Sequence, residues 1–163
     1  MTRPIIAIDP GPTQSAWCII EGDKIIACKE DNYAILIGLC TYNAIPNPPI
    51  LAIEMIAAMG MSVGAEVFDT AHWTGRFAQA YGGKFIKVYR KQVKMHLCNS
   101  MRAKDGNIRQ ALIDRFGPGK EKAIGTKAKP GKLYGIKADM WAALAVAVTA
   151  MDTLAPAAEG GAE

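Results

Sequence analysis

The stretch Ile5-Ile6-Ala7-Ile8-Asp9-Pro10-Gly11-Pro12 places an acid directly after a short run of apolar, mostly β-branched residues. Such a run predicts a buried strand. The Pro-Gly-Pro cluster breaks regular structure, so the strand should end at the acid. Asp9 is therefore predicted to stand at the carboxyl end of a buried strand, although an aspartate before Pro-Gly can also be an ordinary turn residue.

A second acid follows a second apolar run in the same way. Residues 50–53 are Ile-Leu-Ala-Ile, and Glu54 comes directly after them. Glutamate is a poor strand residue, so a local structural preference does not account for it at this position. Because ligands of open α/β sheets bind at the carboxyl ends of the strands, the two acids are expected to meet at one sheet edge.

The hydrophobic pattern outside these two strands predicts three consecutive strands followed by alternating helices and strands. Glu21-Gly22-Asp23 marks a tight turn, which predicts an antiparallel hairpin. The order predicts an α/β fold with a mixed sheet, in which a three-strand antiparallel meander joins two parallel strands and helices cover both faces. The predicted strands cover residues 5–8, 15–20, 24–29, 50–53 and 85–89, and the predicted helices cover residues 32–43, 65–81, 91–97, 105–116 and 138–154.

A third acid, Asp139, precedes the apolar run at 140–148 in the last predicted helix. It could project from the first turn toward the same sheet edge, or act only as a helix cap. Three converging carboxylates repel one another unless a cation lies among them, and hard divalent cations take oxygen ligands. Two such ions about 4 Å apart can activate a water and stabilise the leaving oxygen of a phosphodiester. Asp9, Glu54 and Asp139 are therefore the candidate catalytic metal ligands.

The positive charge is concentrated in one segment. The whole chain carries a net charge of +4, whereas the segment 117–137 contains six lysines and one glutamate and carries +5. Its glycines would let the backbone approach phosphates closely, and its lysines would bind a nucleic-acid backbone without reading sequence. The alternative is a surface loop that only aids solubility. The DNA-binding candidates in this segment are Lys120, Lys122, Lys127, Lys129 and Lys132.

The chain of 163 residues has the size of one domain, predicted at 1–154 with a disordered tail at 155–163. No apolar run is long enough to span a membrane. The charged Asp9 interrupts the first apolar run too early for a signal peptide. We therefore expect a cytoplasmic, nucleoid-associated protein with no membrane partner.

Four of these stretches, in this order, resemble the RuvC-type Holliday-junction resolvases, and especially their phage-encoded members. Ile-Ala-Ile-Asp-Pro-Gly at 6–11 is similar to the family's opening strand, and Leu-Ala-Ile-Glu at 51–54 to its second catalytic strand. Arg-Lys-Gln-Val-Lys at 90–94 resembles a basic segment of the family. Ala-Asp at 138–139, followed by Ala-Ala-Leu-Ala-Val-Ala-Val-Thr at 142–149, resembles its last helix.

The resemblance runs from about residue 5 to residue 150 and implies an RNase H-like fold, a homodimer and paired nicks in branched DNA within a bacterial host cell. It implies two Mg²⁺ or Mn²⁺ ions per active site, with Asp9 and Glu54 as ligands. Lys94 and Lys104 match or lie near basic residues of the family, where a lysine could hold the scissile phosphate. Arg90 and Lys91 are then candidates for DNA binding.

This chain departs from the family at two places. The family has two acids three residues apart in its last helix, and here the partner position of Asp139 is Ala142 in one register or Ile136 in the other. Asp105 and Asp114 are alternatives for the missing ligand. The second departure is Ala57, which stands where the family has an aromatic wedge. Apolar side chains can enter base steps, so the predicted replacements are Met59 and Met61.

Three functions are compatible with these observations. The first is a structure-selective endonuclease that nicks Holliday junctions, forks or flaps by two-metal hydrolysis. The second is a junction-binding protein without catalysis, which the missing acid would favour. The third is an RNase H-type enzyme that cleaves RNA–DNA hybrids with the same chemistry.

Overall fold

The structure, a computed structural model, describes the backbone of residues 3–159 and the side chains of residues 3–154. Five strands form one sheet in the order β3-β2-β1-β4-β5. The first three strands along the chain pair antiparallel, whereas β1 pairs with β4, and β4 with β5, in parallel. The predicted mixed sheet is therefore confirmed. The strands are β1 (Ile5–Asp9), β2 (Gln14–Glu21), β3 (Lys24–Asp31), β4 (Ile50–Met55) and β5 (Ile86–Tyr89).

The helices follow the predicted order, with one short addition, α5, inside the predicted basic loop. They are α1 (Asn32–Asn43), α2 (Ala65–Ala80), α3 (Arg90–Cys98), α4 (Asp105–Phe116), α5 (Lys120–Ala123) and α6 (Met140–Glu159). Over residues 3–159, no helix combines the length and the apolarity that a bilayer crossing needs.

Alternate side chains of the central strand β1 enter two separate cores. Ile5 and Ala7 pack in the core that holds α6, and Ile6 and Ile8 pack in the core that holds α1 and α2. All residues at 143–148 of α6 are 0% exposed. A helix that is apolar all round belongs in a core, and α6 lies across β1, β2 and β4. The prediction of helices on both faces is confirmed.

The last helix differs from its prediction at both ends. It begins at Met140, after Ala138 and Asp139, because Ala138 has a left-handed backbone with φ 47°. It continues past the predicted end at residue 154 to Glu159, and alanine, which favours helices most, is frequent in this extension. Residues 155–159 of the predicted disordered tail are thus helical, and residues 160–163 lie outside the described residues.

The segment 117–137, predicted as a basic DNA-binding segment, is folded against the core. Ala123 and Leu133 are both 0% exposed and join the core that holds α6. The backbone N–H of Leu133 donates to the carbonyl of Ala123 at 2.8 Å, and that of Gly131 donates to the carbonyl of Ile124 at 2.9 Å. These two apolar anchors lie within a polar composition, and they hold the segment against the core.

Two glycines of this segment serve its own close packing. A Cβ on Gly125 would lie 2.2 Å from the carbonyl oxygen of Lys129, and Gly125 has φ 68°. A Cβ on Gly131 would lie 2.3 Å from the carbonyl oxygen of Ala123. The predicted close approach to phosphates is therefore replaced, at these two positions, by close approach of the chain to itself.

Candidate metal and nucleic-acid site

The two strand-end acids meet at one edge of the sheet, as predicted. Because β1 and β4 run parallel with Ile8 opposite Ile53, the next residues, Asp9 and Glu54, are neighbours across the strands. Both lie at the carboxyl ends of their strands, close enough for each carboxyl group to shift the pKa of the other. The apolar runs that precede them therefore determine where the acids stand, because each run is held in a core and ends at the same height.

Burial makes this pair hard to ionise fully. It raises the pKa of Asp9 to about 7, to which the charges of Glu54 and Asp139 also contribute, while Arg90 opposes the shift. Burial likewise raises the pKa of Glu54, against the lowering influence of Arg90. Two such coupled carboxyls retain a proton between them at mildly acidic pH. A divalent cation with oxygen ligands can take the place of that proton, so the pair fits a metal.

A buried polar network holds the turn that follows Asp9. The Ser15 hydroxyl donates to Oδ1 of Asn32 at 2.6 Å and accepts from the backbone N–H of Gly11 at 3.0 Å. The side-chain amide of Asn32 donates to the carbonyl of Gly11 at 2.9 Å. Asn32 is 0% exposed and Ser15 is 1% exposed. The two side chains thus replace water for the Gly11 backbone and restrain the turn beside the acid.

We expect Ser15→Ala to lower the free energy of unfolding by about 1–3 kcal/mol, because it leaves buried polar groups of Gly11 and Asn32 without a partner. Urea denaturation measures this change. The control is Ser62→Ala in the exposed loop before α2, which should change stability by less than about 0.5 kcal/mol. Equal denaturation midpoints for the two variants would contradict the assigned role of the network.

Arg90 connects the acid pair to α4. It is the first residue of α3, directly after β5, and its Nη1 lies 3.7 Å from Oε1 of Glu54. Its Nη2 also pairs with the carboxylate of Asp105 at the start of α4. Of the two alternative ligands, Asp105 therefore reaches the site through Arg90. Asp114 instead accepts a hydrogen bond from Gln110 on the exposed side of α4.

A cleft of about 550 Å³ opens over the acid pair. Arg90, Lys91 and Lys94 line it, so the structure brings these three predicted basic residues beside Asp9 and Glu54. Lys104, the other predicted catalytic lysine, is exposed at the start of α4 and does not line this cleft. The cleft therefore has the two acids at its base and positively charged side chains on its wall.

Methionines stand at the rim of this cleft. Met59 lines it and is 76% exposed, and Met61, two residues further along the same loop, is 73% exposed. Met59 has a left-handed backbone with φ 53°, and Gly60 follows it with φ 78°. Exposed apolar side chains of this size are typical of interaction surfaces. Their position is compatible with the predicted contact to opened base pairs.

Asp139 stands apart from the acid pair. Its carboxylate is paired with the ammonium of Lys29, with Oδ2 and Nζ 2.5 Å apart, and its side chain is 54% exposed. Among the described residues, no three Asp, Glu, His or Cys side chains are grouped so that they could hold a metal ion. The predicted trio is therefore present as a pair plus a neighbour, because Asp139 lies on the turn before α6 and faces β3.

Lys29 is a neighbour of the site that the sequence pattern did not indicate. Nothing near it along the chain indicates a site, because it is one of several charged residues near the end of β3. The signal is in the strand register, which pairs Lys29 with Ala16 and Ala16 with Asp9. Correct pairing of the predicted meander would have found it.

The lysines of the basic segment are exposed, but they do not line the cleft. Lys132 pairs with Asp23 at 2.8 Å, in the turn between β2 and β3. The strand register places this turn level with Ile5, at the opposite end of the strands from Asp9. The segment therefore extends to the far end of the sheet. The other predicted DNA-binding lysines of the segment are Lys120, Lys122, Lys127 and Lys129.

The fold is similar to that of two solved RuvC structures. The Thermus thermophilus RuvC structure matches with a TM-score of 0.62 and 16% identity, over 94% of this chain and 96% of that chain. T. thermophilus RuvC in complex with a Holliday junction substrate matches with a TM-score of 0.60 and 16% identity, over 91% and 92%. No protein-family model and no curated protein matches the sequence. The predicted RNase H-like fold is confirmed.

Proposed function

We propose that this protein is a metal-dependent endonuclease that nicks branched DNA, with Holliday junctions as its principal substrate. The observation that carries the proposal is the buried Asp9–Glu54 pair, which stands at the base of a cleft with a basic wall. The fold that presents this pair is similar to a structure solved in complex with a Holliday junction. The site chemistry and the fold therefore point to the same class of reaction.

Asp9 and Glu54 would hold the metal, and we expect Asp139 to join them as the third ligand. When bound, two Mg²⁺ or Mn²⁺ ions would activate a water molecule and stabilise the leaving oxygen of the phosphodiester. The buried Ser15–Asn32 network restrains the turn after Asp9, so the Asp9 carboxyl group would bind the metal with little loss of conformational freedom. The pair fits this role because its two buried carboxyls lie close together and Arg90, 3.7 Å from Glu54, only partly offsets the raised pKa of Asp9.

The basic wall of the cleft would hold the DNA backbone. Arg90 can reach a phosphate from its position beside Glu54, and Lys91 and Lys94 extend the same wall. A lysine that faces the scissile phosphate would also stabilise charge that develops in the transition state. Met59 and Met61 would contact bases that are unstacked at a branch point. The protein would then prefer branched DNA over a continuous duplex.

We also propose that the active form is a homodimer in a bacterial host cell, of the kind found in phage-encoded resolvases. A four-way junction needs two symmetric nicks, and a two-fold dimer supplies two equivalent sites. Sedimentation of the protein with and without a junction measures this state.

The test is a cleavage assay on a labelled four-way junction, a fork, a linear duplex and an RNA–DNA hybrid, each with Mg²⁺ or with EDTA. The proposal predicts nicking of the branched substrates that needs the metal. The pairing of Asp139 with Lys29 favours a second candidate, a junction-binding protein without catalysis. Tight junction binding without nicking would support that second candidate, and preferred cleavage of the hybrid would overturn both.

We expect Lys94→Ala to weaken junction binding and to lower the slope of log affinity against log salt concentration by about 1, because one phosphate contact is lost. Lys132→Ala is the matched control, since Lys132 is already paired with Asp23 at the opposite edge of the sheet. Fluorescence anisotropy over a salt series measures both slopes. A larger slope change for Lys132→Ala would move the DNA path to the basic segment.

A further inference from the structure

One row of residues crosses the sheet at the height of the acid pair. Lys29 of β3 is opposite Ala16 of β2, and Ala16 is opposite Asp9 of β1. Glu54 of β4 is the next neighbour. Residues opposite each other in paired strands point to the same face, so the Lys29 side chain leaves the sheet on the same side as Asp9. Between them in the row lies only the methyl group of Ala16.

The Asp139 carboxylate, from the turn before α6, meets this row at Lys29. It accepts from the Lys29 ammonium at 2.5 Å, and its charge also contributes to the raised pKa of Asp9. The carboxylate is therefore within electrostatic reach of both the ammonium and Asp9. The ion pair is 42% exposed at Lys29 and 54% exposed at Asp139. Ion pairs this exposed contribute little to the free energy of unfolding. What distinguishes the Lys29–Asp139 pair is therefore its position beside Asp9, not its stability.

We propose that Lys29 is a positioning residue that holds the Asp139 carboxylate away from the Asp9–Glu54 pair and competes with a divalent cation for it. This inference rests on the proposed metal-dependent function. The lysine ammonium and the metal are alternative partners of the Asp139 carboxylate, because both are cations that bind to the carboxylate oxygens. In the metal-free protein the Lys29 ammonium binds the Asp139 carboxylate. The metal site therefore has two available carboxylate ligands rather than three.

The competition can be measured by Mn²⁺ binding without any DNA. Free Mn²⁺ is followed by electron paramagnetic resonance while the metal is titrated into the full chain, at a pH above the pKa of Asp9. We expect Lys29→Met to tighten the dissociation constant about tenfold, because Asp139 becomes free to bind the metal. Methionine keeps the aliphatic stem of lysine, so packing against the sheet is retained.

Two further variants separate this effect from a general change of charge. Lys24→Met removes the same charge at the other end of β3, opposite Glu21, and should leave the dissociation constant near that of the wild type. Adding Asp139→Asn to Lys29→Met should abolish the gain, because the carboxylate that Lys29→Met frees is then no longer present. Unchanged or weaker binding by Lys29→Met would overturn the role of Lys29, whereas absence of binding in every variant would overturn the metal site itself.

Discussion

Asp9→Asn should reduce cleavage of a four-way junction by on the order of a thousand-fold or more, while junction binding stays at or above the wild-type level. Asparagine keeps the size of the side chain but removes the negative charge that, together with Glu54, would bind the metal. Binding should survive because the wall formed by Arg90, Lys91 and Lys94 is untouched. The measurement is single-turnover cleavage with saturating protein, together with anisotropy in a metal-free buffer.

The matched control for this variant is Asp114→Asn. Asp114 lies on the exposed side of α4 and accepts a hydrogen bond from Gln110, so its loss should leave cleavage near the wild-type rate. Asp105→Asn frees Arg90 from its second partner without changing the acid pair. It therefore tests the role of Arg90 separately from that of Asp9 and Glu54. Cleavage that persists in Asp9→Asn would refute the assignment of the acid pair as the catalytic centre.

The second large effect is on stability. The pKa of Asp9 is raised from 3.8 to about 7 in the folded protein, so the folded state holds a proton that the unfolded state has released. Stability in the absence of metal should therefore fall as the pH rises between 3.8 and about 7. The raised pKa of Glu54 acts in the same direction. The metal-free protein is thus expected to be more stable at mildly acidic pH than at alkaline pH.

Asp9→Asn should remove most of this loss. Above the pKa of Asp9, we expect the metal-free variant to be more stable than the wild type by about 2 kcal/mol, a rise in Tm of roughly 4–8 °C. Mn²⁺ should raise the Tm of the wild type and leave that of the variant nearly unchanged, because only the wild type can ionise the pair around a metal. Differential scanning calorimetry over a pH series, with and without Mn²⁺, measures all four conditions.

Asp69→Asn is the control for the stability series, since Asp69 is an exposed carboxylate on α2. Its curve against pH should follow that of the wild type. A wild-type Tm that rises with pH across the same interval would show that Asp9 is not protonated in the folded state.

Local sequence was enough to predict the acids that form the centre of the site. An apolar run that ends in an acid and a breaker can be read from a few consecutive residues, and Asp9 and Glu54 stand where those runs predicted. The same holds for the basic start of α3, where Arg90, Lys91 and Lys94 follow a short strand directly. Each of these positions depends on strand ends, which hydrophobic pattern and turn residues determine together.

The surroundings of that centre depend on contacts between residues far apart along the chain. Lys29 meets Asp139 through the register of β3 and the turn before α6, which are 110 residues apart in the sequence. The segment 117–137 is compact because two apolar side chains, Ala123 and Leu133, are buried within a polar composition. Sequence by itself determined which strands end in acids, because that is a matter of local apolar runs. Only the tertiary structure decided which cation each acid meets, because strand register and helix packing bring those partners together.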